Sequence, residues 1–364
     1  MGGDRKPMTN KIIFVLPSFA GGGAERVMIS LANALNRSRF APSIIVLDSD
    51  GPLRASVASD ITIVDLRQKR LRHAIKPLIA AVREFNPYAV VPTMGYLNLG
   101  ILMNRKKINP NTKIIVREAN EVNATIKAIK VPLLGKFLYR YHYPRADRVI
   151  TPTMRIASDF SDRWRVPPEK LSVMRNPVDV DWLRDMASKI HREPGDGLRF
   201  VASGRLVEQK GFDRLIEWLA KLPPNTHVTI CGEGPLIGAL QDLAQKLAVS
   251  EKIRFAGFVN NPWVTYAGAD AFLLTSRWEG MSNASLEALA VGTPVIGVPQ
   301  AGGLGEVAKQ TACGAVTLAN PGPEFISSMA RTKQKSLDKL KPSLLPSIYS
   351  LNCVIQEFEE ILEN

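Results

Sequence analysis

The sequence contains few cysteines and histidines, and their positions argue against a metal centre. Its 364 residues include three cysteines, Cys231, Cys313 and Cys353, and four histidines. Neither set shows the short spacing that zinc ligands require. Cysteines that are odd in number and widely separated are typical of reduced thiols in the cytosol. We therefore expect no bound metal ion.

Long apolar runs are also missing. The sequence has no stretch of about 18 uncharged apolar residues, the length of a membrane-spanning helix, and its polar start, residues 1–10, lacks the apolar segment of a secretory signal. The hydrophobic fraction of 45% and the mean hydropathy of -0.02 are those of a soluble globular protein. We expect a cytoplasmic protein that is long enough for two domains.

Acidic residues are scarce in the first half of the chain. Between Asp65 and Ile150 there are seventeen Lys and Arg against five Asp and Glu, which accounts for most of the formal net charge of +13. Such a field suits an anionic partner: a membrane surface, a lipid diphosphate or a nucleic acid. A basic surface that only keeps the protein soluble is an equally good explanation. Nucleic acid is the weakest option, because no basic motif interleaved with aromatic residues occurs.

Short apolar runs alternate with helical patterns along the whole chain, which predicts an α/β fold with parallel sheets covered on both faces. In such folds, ligands bind at the carboxyl ends of the strands. The predicted strands are Lys11–Leu16, Ser43–Leu47, Ile61–Val64, Ala89–Val91, Lys113–Val116, Val149–Thr151, Leu171–Met174, Leu198–Ser203, Thr226–Cys231 and Ile253–Ala256, and the apolar run Ala271–Thr275 leads into Ser276.

The most informative stretch is Ser276–Ala290, which joins two carboxylates to the start of a helix. Ser282 is a good N-cap for a helix with apolar residues at helical spacing. The free N–H groups of the first turn then form a seat for a diphosphate, together with the loop Gly280-Met281-Ser282. Glu279 precedes the helix and Glu287 lies on its second turn, so that one can bind sugar hydroxyls and the other ribose hydroxyls.

Two further loops follow predicted strands and precede helices. The first contains Gly22 and Gly23, whose backbone amides can approach a phosphate or a sugar closely. The second runs Gly204-Arg205 to Lys210-Gly211. A guanidinium and an ammonium group at this spacing suit the two phosphates of a leaving nucleotide. Each loop alone is also compatible with an ordinary turn or with exposed cations.

Together these motifs resemble family GT4 of the retaining glycosyltransferases. Glu279 and Glu287 match the E-x7-E signature, within Trp-Glu-Gly-Met-Ser at 278–282 and Glu-Ala-Leu-Ala-x-Gly-x-Pro-Val-Ile at 287–296. The Gly-Gly-Ala-Glu-Arg loop at 22–26, Gly-Arg-x-x-x-x-Lys-Gly at 204–211 and the Gly-Gly-x-x-Glu loop that ends at Glu306 follow the family's order. The ends of two strands, at Glu233 and Val259, resemble its nucleotide-base pocket.

The resemblance implies the GT-B fold, with two facing Rossmann-like domains and an inter-domain cleft. We place the acceptor-binding domain at 1–187, a linker at 188–197, the nucleotide-sugar domain at 198–340, and a C-terminal segment at 341–364 that crosses back to the first domain. It also implies retention at the anomeric carbon without a metal. Arg205 and Lys210 would bind the diphosphate, Glu279 the sugar and Glu287 the ribose.

One family feature is missing, because relatives often carry a histidine where this chain has Ala119. Its role would fall to the backbone, to Glu118 or to Asn120 on the acceptor side. The missing histidine keeps open a sugar-nucleotide-binding subunit without catalysis. A basic nucleic-acid-binding protein is the other alternative to an enzyme.

The expected donor is a UDP-sugar, and the expected acceptor is a lipid-linked or polysaccharide substrate of bacterial glycan assembly. The segment from Ile126 to Tyr143 alternates apolar and basic residues. A helix packed on the sheet is the favoured interpretation. The alternative is that its basic face, with Arg105, Lys106 and Lys107, docks on anionic lipid at the inner face of the cytoplasmic membrane.

Overall fold

The computed structural model describes residues 9–122, 126, 131–188, 197–334 and 339–364. They divide into two compact units. The first ends at Pro177 and also contains Leu351–Asn364, and the second is Val178–Ser350. No helix in the described ranges has the length and hydropathy needed to cross a bilayer.

The first unit is built on a seven-stranded parallel sheet with the order β3-β2-β1-β4-β5-β6-β7. Its strands are β1 (Asn10–Ser18), β2 (Phe40–Asp48), β3 (Thr62–Asp65), β4 (Ala89–Pro92), β5 (Lys113–Arg117), β6 (Arg148–Thr151) and β7 (Leu171–Val173). Its helices are α1 (Gly23–Ala34), α2 (Leu71–Phe85), α3 (Gly95–Met103), α4 (Pro132–His142), α5 (Met154–Asp162) and, from the C-terminus, α13 (Leu351–Glu363).

Both faces of this sheet are buried, which explains its continuous apolar strands. In β1, Ile13 and Val15 belong to the cluster on one face, whereas Ile12, Phe14 and Leu16 belong to the cluster on the other. The strand order reverses between β1 and β4, and ligands of doubly wound sheets bind at such a switch point.

The second unit repeats this architecture with a six-stranded parallel sheet, in the order β10-β9-β8-β11-β12-β13. Its strands are β8 (Arg199–Ser203), β9 (His227–Cys231), β10 (Ile253–Gly257), β11 (Ala271–Leu274), β12 (Val295–Gly297) and β13 (Val316–Leu318). Its helices are α6 (Val180–Met186), α7 (Phe212–Leu219), α8 (Ile237–Lys246), α9 (Trp263–Gly268), α10 (Asn283–Ala290), α11 (Leu304–Ala308) and α12 (Pro323–Ala330). Its switch point lies between β8 and β11.

The units divide at a different place from the expected boundaries at 187 and 341. Helix α6 lies in the second unit, because Val178, Leu183 and Ala187 are part of that unit's hydrophobic core. The chain returns to the first unit only at Leu351. Sequence composition could not locate this division, because 178–187 looks like any other amphipathic segment until its packing partners are known.

Helix α4 differs from the favoured interpretation of a helix packed through its apolar side. Leu133, Leu134, Phe137 and Tyr141 are exposed by 76%, 52%, 60% and 50%, whereas its buried residues are Gly135 and Tyr139. The helix therefore packs through a narrow side and turns most of its apolar residues outward. Residues 127–130 of the predicted segment, with Lys127 and Lys130, lie outside the described residues.

Candidate active site

The two motifs with the strongest chemistry meet at the switch point of the second unit. The loop with Arg205 and Lys210 follows β8, and the loop with Glu279 follows β11, the neighbouring strand. Because both strands are parallel, both loops emerge at the carboxyl edge of the sheet. This is the edge at which the sequence analysis expects the ligand.

Several hydrogen bonds join these two loops. Arg277 binds Asp213 through two N–H···O contacts of 2.8 and 2.6 Å and also donates to the carbonyl of Glu208 at 2.9 Å. The fork-like geometry is the strong form of this ion pair, and it holds the pKa of Asp213 below its usual value. The Gln209 amide donates to the Trp278 carbonyl at 3.0 Å. The loops therefore form one connected structure.

Lys210 and Glu279 form an ion pair at the centre of this structure. The Lys210 ammonium and the Ser276 hydroxyl both donate to Oε1 of Glu279, the latter at 2.8 Å. Glu279 is only 5% exposed, so its charge needs a partner. Their motifs predict separate roles for these side chains, Lys210 at the diphosphate and Glu279 at the sugar. The structure brings them into direct contact.

Arg205 lies on the same loop with an exposed side chain. Among the described residues, its guanidinium forms neither a hydrogen bond nor an ion pair. The preceding residue, Gly204, has a φ of 151°, and a Cβ there would lie 2.9 Å from Cε of Lys210. Glycine therefore allows the backbone to pass directly over the stem of Lys210.

Ser282 caps α10, as predicted. Its hydroxyl accepts a hydrogen bond from the Ser285 N–H at 3.3 Å, and its φ and ψ are those of an N-cap. Gly280 and Met281 are buried beside the cap, and the Gly280 carbonyl accepts from the Gly303 N–H at 2.8 Å. Two hydrogen bonds, the Ser282 cap and the contact between Gly280 and Gly303, thus hold the helix start that is predicted to bind a diphosphate.

Glu287 lies on the second turn of α10 and is 8% exposed. One of its oxygens, Oε2, accepts a hydrogen bond of 2.9 Å from the indole N–H of Trp263 on α9. This contact was not predicted, because Trp263 lies far from the E-x7-E motif in sequence.

Glu233 and Val259 follow β9 and β10, at the same edge of the sheet. The Glu233 carboxylate accepts a hydrogen bond of 3.3 Å from the Phe258 N–H, which ties the two loops together. Phe258 is 52% exposed, whereas Val259 packs against the core. An exposed aromatic ring at this edge can stack on a base, as the resemblance to the family's base pocket implies.

The other predicted residues lie in the first unit. Gly22 and Gly23 begin α1, after β1. A Cβ at Gly22 would lie 2.2 Å from Oε2 of Glu25, a buried oxygen with no hydrogen-bond partner within the described part of the chain. Burial raises the pKa of Glu25. In the sequence, Glu25 stands out only as part of the Gly-Gly-Ala-Glu-Arg loop.

Glu118 is buried directly after β5, whereas Asn120 is partly exposed. The Tyr143 hydroxyl donates to Oε2 of Glu118, and the Asn98 amide reaches the same oxygen at 3.5 Å. Burial raises the pKa of Glu118 to about 7, although these hydrogen bonds favour the ionised form. In this arrangement Asn120 is the more accessible of the two acceptor-side candidates.

Two family models match the chain. The model of Glycosyltransferase Family 4 matches residues 21–182, and that of Glycosyl transferases group 1 matches residues 184–327. The lipopolysaccharide core biosynthesis glycosyltransferase LpsE of Rhizobium meliloti is 32% identical over 280 residues, which are 76% of this chain and 75% of the relative. The chain belongs to the GT4-type glycosyltransferases. It is therefore an enzyme, rather than a sugar-nucleotide-binding subunit without catalysis or a nucleic-acid-binding protein.

Another relative of this glycosyltransferase is the N-acetylgalactosamine-N,N'-diacetylbacillosaminyl-diphospho-undecaprenol 4-alpha-N-acetylgalactosaminyltransferase of Campylobacter jejuni. It is 28% identical over 299 residues, which are 79% of this chain and 80% of the relative. The structure of Anabaena Alr3699/HepE in complex with UDP and glucose is similar, with a TM-score of 0.77 at 18% identity, and covers 97% of this chain and 99% of that chain. The predicted GT-B fold is confirmed.

Several side chains that shape the glycosyltransferase site were missed by the sequence analysis. Ser276, Trp263 and Asp213 each hold a residue of the predicted motifs through a hydrogen bond. Ser276 could have been found, because it precedes Glu279 in the motif itself. Trp263 and Asp213 gave no signal, because only the folded sheet brings them to the site.

Proposed function

We propose that this glycosyltransferase transfers a sugar from a UDP-sugar to a lipid-linked saccharide, with retention and without a metal ion. The observation that carries the proposal is the meeting of Lys210, Glu279 and the capped start of α10 at one switch point. A cation, a carboxylate and the N-terminus of a helix are the groups needed to hold a diphosphate and an adjacent sugar.

In this mechanism the donor diphosphate takes the Lys210 ammonium as its counter-ion, with Arg205 as the second cation. The bond between the anomeric carbon and the phosphate oxygen breaks, and negative charge develops on the diphosphate. Lys210, Arg205 and the amides of α10 stabilise that charge. The acceptor hydroxyl attacks from the same face, and its proton passes to the leaving phosphate oxygen.

Glu279 then positions the sugar, and Glu287 binds the ribose. Because Lys210 also forms an ion pair with Glu279, the carboxylate and the phosphate share its ammonium group in this mechanism. The charge that a divalent cation would offset is met by side chains of the protein. We therefore expect activity to persist in the presence of a chelator.

The names of similar proteins support the choice of substrates. The Campylobacter jejuni relative is named for a diphospho-undecaprenol acceptor, and the Rhizobium meliloti relative for lipopolysaccharide core biosynthesis. The Anabaena structure contains UDP and glucose. A lipid-linked acceptor of bacterial surface-glycan assembly and a UDP-sugar donor are consistent with all three.

The test is nucleotide release from a panel of UDP-, GDP- and ADP-sugars, each with and without polyprenyl-diphosphate-linked saccharides and EDTA. We expect release of UDP that depends on the lipid-linked acceptor and is unchanged by EDTA. Loss of activity with EDTA that Mg²⁺ restores would contradict metal independence. Turnover with a soluble sugar alone would contradict the lipid-linked acceptor. NMR of the product should show the anomeric configuration of the donor.

Helix α4 supports a membrane-associated acceptor, and we propose that its outer side binds an anionic bilayer. Leu133, Leu134 and Phe137 form an exposed apolar surface beside the exposed cations Lys136 and Arg140. Apolar side chains next to cations are typical of helices that lie in the bilayer interface. The excess of basic residues between Asp65 and Ile150 adds long-range attraction to anionic lipid.

Replacing Leu133 and Phe137 by Asp is expected to weaken sedimentation with phosphatidylglycerol-containing vesicles at least tenfold. Each exposed apolar side chain contributes roughly 1.5–3 kcal/mol when fully buried, so even partial insertion reaches this range. Met154→Asp is the matched control, since Met154 is 62% exposed in the same unit but lies on α5. Binding should also fall with salt. Equal binding of the parent protein to phosphatidylcholine alone would contradict an anionic surface.

A further inference from the structure

Glu287 is held by a residue that no family motif contains. The indole N–H of Trp263 donates to Oε2 of Glu287 at 2.9 Å, and the two side chains are 4% and 8% exposed. A hydrogen bond to a charged group contributes more to stability than one between neutral partners. Because the contact is buried, water does not readily replace it. Trp263 therefore limits the directions in which this carboxylate can point.

Trp263 is itself fixed from its other side. The ring of Trp182 on α6 meets it edge-on, with a centroid distance of 4.8 Å and an interplanar angle of 71°. The edge-to-face geometry of the two rings is favourable for aromatic pairs. Asp179 caps the N-terminus of α6 by accepting a hydrogen bond of 3.1 Å from the backbone N–H of Trp182. Glu287, Trp263 and Trp182 thus form a chain of contacts across α10, α9 and α6.

An indole nitrogen can only donate a hydrogen bond, and an ionised carboxylate can only accept one. The contact therefore sets which oxygen of Glu287 faces the indole. It fixes the carboxylate plane for any hydroxyl that donates to the same group. The two hydroxyls of a ribose have fixed spacing, so their binding depends on this orientation.

We propose that Trp263 is a positioning residue for the ribose of the donor, acting through Glu287. This inference rests on the proposed role of Glu287 in the nucleotide-sugar site. It assigns to Trp263 the discrimination between a ribonucleoside diphosphate and its 2′-deoxy form. Trp182 supports the same function indirectly, by restricting the rotation of the Trp263 ring.

Trp263→Phe keeps an aromatic ring but removes the N–H donor. We expect it to raise the KM for the donor about tenfold, with kcat changed less than about twofold, because ground-state binding is weakened rather than the chemical step. We also expect the ratio of Kd values for 2′-deoxy-UDP and UDP to fall towards one. Glu287→Gln shows how far this ratio falls when the carboxylate itself is lost. The double variant Trp263→Phe with Glu287→Gln should have the same ratio as Glu287→Gln alone, because both changes remove the same interaction.

Trp218→Phe is the matched control. Trp218 is a buried tryptophan of the same unit that packs against Phe325, with a centroid distance of 4.6 Å. It should leave the ratio of Kd values unchanged. Trp182→Phe, at a half-exposed position, provides a second variant of the same chain of contacts and should lower the ratio less than Trp263→Phe does.

Isothermal titration with the ribo- and 2′-deoxyribo- forms of UDP, ADP and GDP gives the decisive result, using the nucleotide that the parent protein binds best. If Glu287→Gln lowers the ratio and Trp263→Phe does not, the role of Trp263 is wrong and the proposed function stands. If neither changes the ratio, the ribose role of Glu287 is wrong as well. Equal weakening of both nucleotide forms by Trp263→Phe would indicate packing alone and overturn the inference.

Discussion

Arg205→Ala should lower kcat/KM for the nucleotide sugar by about 100- to 1000-fold, the range for removing a partner of transition-state charge. The free energy of unfolding should change by less than about 0.5 kcal/mol, as is usual for exposed side chains away from structural contacts. Both expectations follow from its position. Arg205 lies on the loop after β8 with an exposed side chain, and its guanidinium has no partner among the residues that the structure describes.

The measurement pairs donor kinetics with urea unfolding of the same preparation. Lys246→Ala is the matched control, because Lys246 is an exposed cation of the same unit at the end of α8. It removes the same charge from the protein but not from the switch point, so kcat/KM should stay within about twofold of the parent value. Near-normal turnover of Arg205→Ala would remove Arg205 from the mechanism.

The fold was predictable from local patterns because most of the buried strands contain a short apolar run, such as Ile12 to Leu16 in β1. The predicted strand at Lys11–Leu16 lies within β1, and the predicted N-cap Ser282 caps α10. Both signals are local, since a strand buried on two faces and a helix cap need only neighbouring residues. Parallel topology then follows from the alternation of strands and helices.

The remaining features depend on contacts that are distant in sequence. Leu133 and Phe137 look like core residues by their spacing, but Gly135 and Tyr139 are the buried residues of the helix instead. Periodicity gives the number of apolar residues on a helix, not which side meets the protein. This distinction has functional weight, because the exposed side is the one proposed to meet the membrane.

The same limit applies to the site. Lys210 and Glu279 could each be assigned from a motif, but their ion pair requires the β8 and β11 loops to meet. The pair supplies a counter-ion to a carboxylate that is almost fully buried. In the proposed mechanism, the diphosphate competes with Glu279 for the Lys210 ammonium group.

This arrangement gives Lys210→Ala two separate effects. Loss of the phosphate partner should lower kcat/KM by about 100- to 1000-fold. Loss of the counter-ion of Glu279 should also destabilise the protein by roughly 3 kcal/mol, the lower end of the range for removing one partner of a buried pair. Ser276 still donates to Glu279, but a neutral hydroxyl does not replace the charge.

Adding Glu279→Gln to Lys210→Ala separates the two effects. The amide carries no charge, so the double variant should recover most of the lost unfolding free energy in urea titrations. Its kcat/KM should remain at the level of Lys210→Ala or below, because neither the diphosphate nor the sugar regains its partner. Glu279→Gln alone is the control, because it removes the sugar contact and leaves Lys210 for the phosphates. Recovery of both stability and activity in the double variant would mean that Lys210 serves only to neutralise Glu279, and its place beside the leaving diphosphate would have to be given up.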